Sequence, residues 1–128
     1  MAGQFHLEQP AFDRAINGRT LLAATDAATA LTAAQSLNTI VTMTPTTGRA
    51  VTTASGPDII AELGNGEYRV GSSFEVTVVN LAGATHAITF TANATGVTVT
   101  GLATVAANTS ATFVGRVATT STVIFYRK

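Results

Sequence analysis

"NLAGATHAITFTANATGVTVTGLATVAANTSATFV", residues 80–114, holds no Asp, Glu, Lys or Arg. It also lacks an unbroken apolar block, because Thr, Ala, Gly and Asn interrupt every run of Val, Ile and Phe. In an extended chain His86, Ile88 and Phe90 share one face, opposite Ala87, Thr89 and Thr91. Alternation with a period of two marks a half-buried strand, and β-branched Val and Thr suit its pleat. The stretch reads as two-sided sheet, with Val, Ile and Phe turned to a core and Thr covering the outside without charge.

The same pattern extends in both directions. Upstream, "SSFEVTVVNL" (72–81) puts Phe74, Val76 and Val78 on one face, with Glu75, Thr77 and Val79 on the other. Downstream come "GVTVTG", "LATV", "SATFVGRV" and finally "STVIFYRK". Turn residues separate them at Ala82-Gly83, Asn93 to Gly96, Gly101, Ala107-Asn108 and Ala118 to Ser121. Short strands at such regular spacing predict an antiparallel β-sandwich or barrel. The last strand breaks the rule, because Val123 and Phe125 face one way while Ile124 and Tyr126, also apolar, face the other. A second cover is expected there, supplied by the N-terminal arm or by another subunit.

Before residue 72 the elements are shorter. Thr32-Ala33-Ala34-Gln35 reads as a capping box opening a helical turn over 33–37. "NTIVTM" (38–43) reads as a strand, Pro45 and Gly48 as a loop, and residues 49–53 as a further strand. "PDIIAEL" follows Ser55-Gly56 and stops at Gly64, with Pro near its start and Asp58 at its positive end, which predicts a second short helix. Asn65-Gly66 then turns the chain into sheet. Residues 1–28 carry Phe5, Leu7, Phe12, Ile16, Leu21 and Leu22 among polar residues, with Pro10 and Asn17-Gly18 as breakers. The Ala-rich run 21–34 shows no 3.6-residue stripe. The expected organisation is an N-terminal arm over 1–28 and a mainly β domain over 29–128, with Phe5 and Phe12 lying on a surface of this domain or of a neighbour.

Composition narrows the function. A chain of 128 residues suits one domain. The absence of Cys excludes disulfides and Cys-based metal sites, and fits a reducing compartment. Net charge is zero with 11% charged residues, against about a quarter in ordinary domains. Such a chain has no field to steer nucleic acid or an anionic membrane, and little repulsion to keep copies apart. "MAGQFHLEQPAFDR" has no apolar signal region and no run of about 18 apolar residues exists, so neither secretion nor a membrane helix is expected. Asn93-Ala94-Thr95 and Asn108-Thr109-Ser110 match the glycosylation sequon, as Thr-rich sequence does by chance.

Candidates for chemistry are few. His86 shares a face with Ile88 and Phe90 and reads as a core or interface histidine. His6 and Glu8 are two metal donors without a third. Glu62, Glu67 and Glu75 lie near one turn and read as solvated carboxylates. Gly64-Asn65-Gly66 precedes a strand, where a phosphate cradle precedes a helix. The arginines are scattered among acids. No catalytic residue, cofactor or metal is expected.

The residues resemble those of a known family. "LTAAQSLNTIVTMTPT" (31–46), "VGSSFEVTVVNLAGATHAITF" (70–90), "VAANTSATFVGRV" (105–117) and a final strand ending in Phe125-Tyr126-Arg127 are similar to small structural proteins of tailed bacteriophages and some large DNA viruses, over roughly residues 29–128. The resemblance implies a virion protein of capsid decoration (cement) or minor fibre type, a jelly-roll-like sandwich and a homotrimer. It further implies the major capsid protein as partner and a place on the capsid surface after synthesis in the host cytoplasm. It implies no catalytic residues. Capsid and subunit contacts are then expected at Phe5, Leu7, Phe12 and Ile16 of the arm and at Ile124 and Tyr126. The competing expectation is a fibre or spike module for a receptor or glycan, for which a chain with no Trp and only Tyr68 and Tyr126 offers little platform.

Overall fold

Phe74, Val76 and Val78 are buried and their neighbours Glu75, Thr77 and Val79 only half-buried, as the alternation predicts. They lie on one of ten strands in a computed structural model that describes residues 18–64 and 70–128. In chain order the elements are β1 (Thr20–Ala23), β2 (Thr29–Ala30), a 3-10 turn (Ala34–Ser36), β3 (Thr39–Met43), β4 (Arg49–Thr52) and helix α1 (Gly56–Glu62). They continue with β5 (Ser73–Asn80), β6 (Ile88–Thr91), β7 (Val97–Thr100), β8 (Thr104–Val105), β9 (Thr109–Val117) and β10 (Val123–Arg127).

The strands form two sheets, one of six strands in the order β1-β3-β5-β9-β10-β7 and one of four in the order β2-β4-β6-β8. As far as β8 the chain changes sheet at every strand, so odd strands lie in one layer and even strands in the other. As far as β7 each strand that returns to a layer runs the same way as its predecessor there. Hence β1, β3 and β5 pair in parallel, as do β2, β4 and β6, and β7 joins β10 in parallel. Only β9 with β5, β9 with β10, and β8 with β6 are antiparallel. The expectation of a purely antiparallel sandwich is corrected to two mixed sheets, and the antiparallel order of a jelly roll is not what they show. Alternation reports which side of a strand is wet. Strand direction depends on whether a connection turns back within a sheet or crosses to the other, and here it crosses.

One core joins the layers. Phe90 of β6 stacks on Phe113 of β9, with ring centroids 4.3 Å apart and planes at 18°. Phe125 of β10 meets Phe90 and Phe74 edge-on, at 5.2 Å and 5.7 Å. Val41, Val51, Ile59, Val76, Ile88, Val105, Val117 and Val123 fill the space around them. Aromatic pairs in these geometries add about 0.5–1.5 kcal/mol each beyond their burial. Asn80 is the polar hub of this interior. Its Nδ2 donates to the carbonyls of His86 at 2.9 Å and Val105 at 3.0 Å, and its Oδ1 accepts from Ala82 N at 2.9 Å.

The short elements follow their local chemistry. Thr32 N donates to Gln35 Oε1 at 3.0 Å and Gln35 N to Thr32 Oγ1 at 3.1 Å, the reciprocal bonds of a capping box. Ser55 Oγ accepts from Asp58 N at 3.2 Å to start α1, whose Ile59 and Ile60 are buried. Residues 20–23, read above as part of the arm, instead form the edge strand of the six-stranded sheet. Leu22 reaches the core there, and Thr20 to Ala23 pair with Thr39 to Thr42.

Candidate interaction surface

The outward residues of the two sheets differ in kind. On the four-stranded sheet they are Ala30, Ala50, Thr52, Thr89, Thr91 and Thr104, small or hydroxylated throughout. On the six-stranded sheet the register brings large apolar side chains into adjacent rows. Leu21 lies beside Ile40, and Ile40 beside Thr77. Val114 is flanked by Glu75 and Tyr126, and Ile124 by Arg116 and Thr98. Ile40, Val79, Val114 and Ile124 are half-buried, while Leu21 is 65% and Tyr126 42% exposed. Ile124 and Tyr126 therefore sit on the outer face of this sheet. Phe5, Leu7, Phe12 and Ile16 lie outside the described residues, as do His6, Glu8, Glu67 and Tyr68.

Charge on this face is concentrated around Glu75. Arg19 reaches it with one nitrogen while the other donates to Thr77 Oγ1 at 2.9 Å, and Lys128 Nζ approaches Glu75 Oε2 at 3.4 Å. Burial pushes the Glu75 carboxyl up, but the two cations outweigh it and hold it below the usual carboxylate range. Thr77 and Thr112 share a hydrogen bond at 3.0 Å beside it. The first described residues and Lys128 at the other end are thus both fastened to one carboxylate. Arg116 is exposed on the same face beside Ile124, and a partner covering it and the threonine hydroxyls must supply hydrogen bonds to offset their desolvation.

Other candidates resolve differently. β6 begins at Ile88, so His86 precedes the strand, and it is half-buried rather than core. Glu62 is exposed on α1. The Asn93 amide is engaged, with Nδ2 donating to Thr53 O at 3.2 Å and Oδ1 accepting from Thr95 N at 2.9 Å. Among the described residues no group of three His, Cys, Asp or Glu is placed to hold a metal ion. No helix among them is long and apolar enough to cross a membrane. The sequence pointed to Ile124 and Tyr126 but not to Leu21, Ile40, Val79 and Val114, which join them. Their signal was their parity, each being the odd-face residue of its strand, and only the strand order makes them neighbours. Comparison with protein-family models, with curated proteins and with solved structures returns no match.

Proposed function

We propose that this chain is a structural protein of a tailed-phage virion, a capsid decoration (cement) protein that binds the outer capsid lattice as an oligomer and stabilises capsomer contacts. The observation that carries the reading is the outer face of the six-stranded sheet, where Leu21, Ile40, Val79, Val114, Ile124 and Tyr126 lie among hydroxyls on a molecule of zero net charge. The sequence resemblance supports the same class. The reading concerns the surface and does not depend on a jelly-roll order of strands, and no catalytic step belongs to it. Each large side chain buried at such contacts contributes on the order of 1.5–3 kcal/mol, and repeated attachment across a lattice multiplies weak contacts into avidity.

Co-sedimentation with undecorated capsids, followed by imaging of the particles, tests the reading. Saturable binding at a fixed copy number per capsomer, reduced at least tenfold by a Tyr126→Asp and Ile124→Asp double variant that keeps its fold, is expected. A protein that stays in the supernatant and is missing from mature particles overturns it. Tyr126, exposed beside Thr100 on the same face, is the feature that favours the second reading, a fibre or spike module for a receptor or glycan. A defined sugar ligand on a glycan array would move the assignment there.

A further inference from the structure

Among the described residues the two sheets end in four edges, and one of them is unguarded. Proteins blunt an exposed edge by keeping it short or by setting charge or proline on it, because its free N–H and C=O groups pair with any strand that meets them. β2 and β8 are two residues long. β1 has Arg19 immediately before it and Asp26 in the bend that follows. β7, Val97-Thr98-Val99-Thr100, closes the six-stranded sheet beside β10 with neither charge nor proline, in a stretch with no charged residue between Glu75 and Arg116.

The pairing of β7 with β10 fixes which of its groups are open. Val123 N donates to Gly96 O at 2.8 Å, and the parallel register places Val123 beside Val97 and Phe125 beside Val99. Backbone groups alternate sides along a strand, so Gly96, Thr98 and Thr100 turn theirs to β10 while Val97 and Val99 turn theirs outward. The side chains of Val97 and Val99 pack on the core, and those of Thr98 and Thr100 are exposed on the outer face. Gly96 and Gly101, both at positive φ, bound the strand and leave Thr98 at the middle of the open edge.

These groups select their occupant. Two outward residues flanking a third are self-complementary about a two-fold axis. Val97 of one copy meets Val99 of the other, each such pair exchanging two backbone bonds, and Thr98 faces its own counterpart at the axis. Zero net charge and an uncharged edge leave no repulsion between copies. Leu102, 65% exposed just past Gly101, adds apolar area at each end. Arg127 holds it in place, donating to the carbonyls of Leu102 at 2.8 Å and Thr104 at 3.0 Å.

We propose that two copies of this chain join by antiparallel pairing of their β7 strands, making one continuous sheet of their two six-stranded sheets. The two-fold axis of such a pair stands perpendicular to the sheet, so the outer faces of both copies, with Ile124 and Tyr126, stay open on the same side. The contact is smaller than the roughly 800 Å² a side of a stable pair, so the association is weak and follows concentration. The inference goes beyond the proposed function and holds for the free protein with or without a particle.

Cross-linking tests it in a chain that has no Cys of its own. In a non-hydrogen-bonded antiparallel pair the Cα atoms lie about 4.5 Å apart, within disulfide reach. A Thr98→Cys variant is therefore expected to form a covalent dimer under mild oxidation at least tenfold faster than a Thr100→Cys variant, whose thiols the same register holds about 13 Å apart along the strands. Val99→Pro removes one outward N–H at an edge position where Pro is tolerated, and added to Thr98→Cys it should slow the cross-link at least tenfold. Thr98→Lys keeps every backbone group and sets like charges face to face. It should raise the dimer dissociation constant of the otherwise unaltered chain at least tenfold in sedimentation equilibrium. Equal cross-linking from Thr98→Cys and Thr100→Cys, or an unaltered chain that stays monomeric up to about 1 mM, overturns the proposal. Mass that climbs past the dimer also overturns it, and assigns the edge to β1 of a neighbouring copy.

Discussion

Gly115 of β9 stands where two phenylalanines leave no room for a Cβ: an added carbon would lie 2.3 Å from Phe74 Cε1 and 2.8 Å from Phe125 Cε1. Those rings are core and cannot swing aside, so Gly115→Ala is expected to cost about 1–3 kcal/mol through overpacking. Urea unfolding reads this as a lower midpoint with an unchanged slope. Nothing local in "SATFVGRV" says that Gly115 faces aromatic rings from β5 and β10. Asn80 was hidden for a related reason. In "SSFEVTVVNL" it reads only as a residue near the end of a strand, whereas the structure uses its amide to hold three backbone groups inside the protein. Phe74, Val76, Val78, Ile88, Phe90, Val123 and Phe125 were legible as inward residues because burial follows parity along a strand, which needs no knowledge of partners.

Elements are held by their links as much as by their ladders. Asp26, in the bend between β1 and β2, accepts from Arg49 Nε at 2.8 Å, from Thr46 Oγ1 at 2.6 Å and from Thr46 N at 3.2 Å. It thereby ties that bend to the β3–β4 loop and the start of β4. The Arg49 bond first, and then the Thr46 hydroxyl, lower its pKa from the ordinary 3.8 to about 2. A carboxylate whose folded pKa is depressed stabilises the protein above its unfolded pKa and loses that contribution as pH falls through the folded value. The loss from Asp26 thus falls between about pH 4 and pH 2. Asp26→Asn should leave a shallower acid slope in that window, measured by thermal unfolding across pH, with the remaining slope coming in part from Glu75, whose pKa is lowered in the same direction. Among elements, β3 to β10 and both short helical segments were legible from alternation, capping and turn residues. β1 and β2 were not, because "LLAATDAATA" is Ala-rich with four and two strand residues respectively and earns its sheet places from β3 and β4.

At the scale of the molecule, the Phe90–Phe113 stack joins the sheets, so neither layer has a core of its own. Phe113→Ala is expected to cost about 3–5 kcal/mol. Because the core is common to both, amide exchange should rise in β4 and β6 of the four-stranded sheet as well as in β9. Acceleration confined to β9 and its neighbours would show that the layers open separately. Whole-molecule order was the least legible part of the fold. Face patterns are blind to strand direction, and the alternation between layers leaves no mark in any single strand.

That weaving has a mechanical meaning. Removing β3 from its sheet means drawing out β2 and β4 as well, since each is continuous with it on the far side of the core. Such a chain is laced rather than stacked: each strand from β2 to β8 is continuous at both of its ends with strands of the opposite layer. The same lacing demands many distant encounters before any is secure, so the chain should assemble slowly, in milliseconds to seconds, and once tied should come undone slowly too.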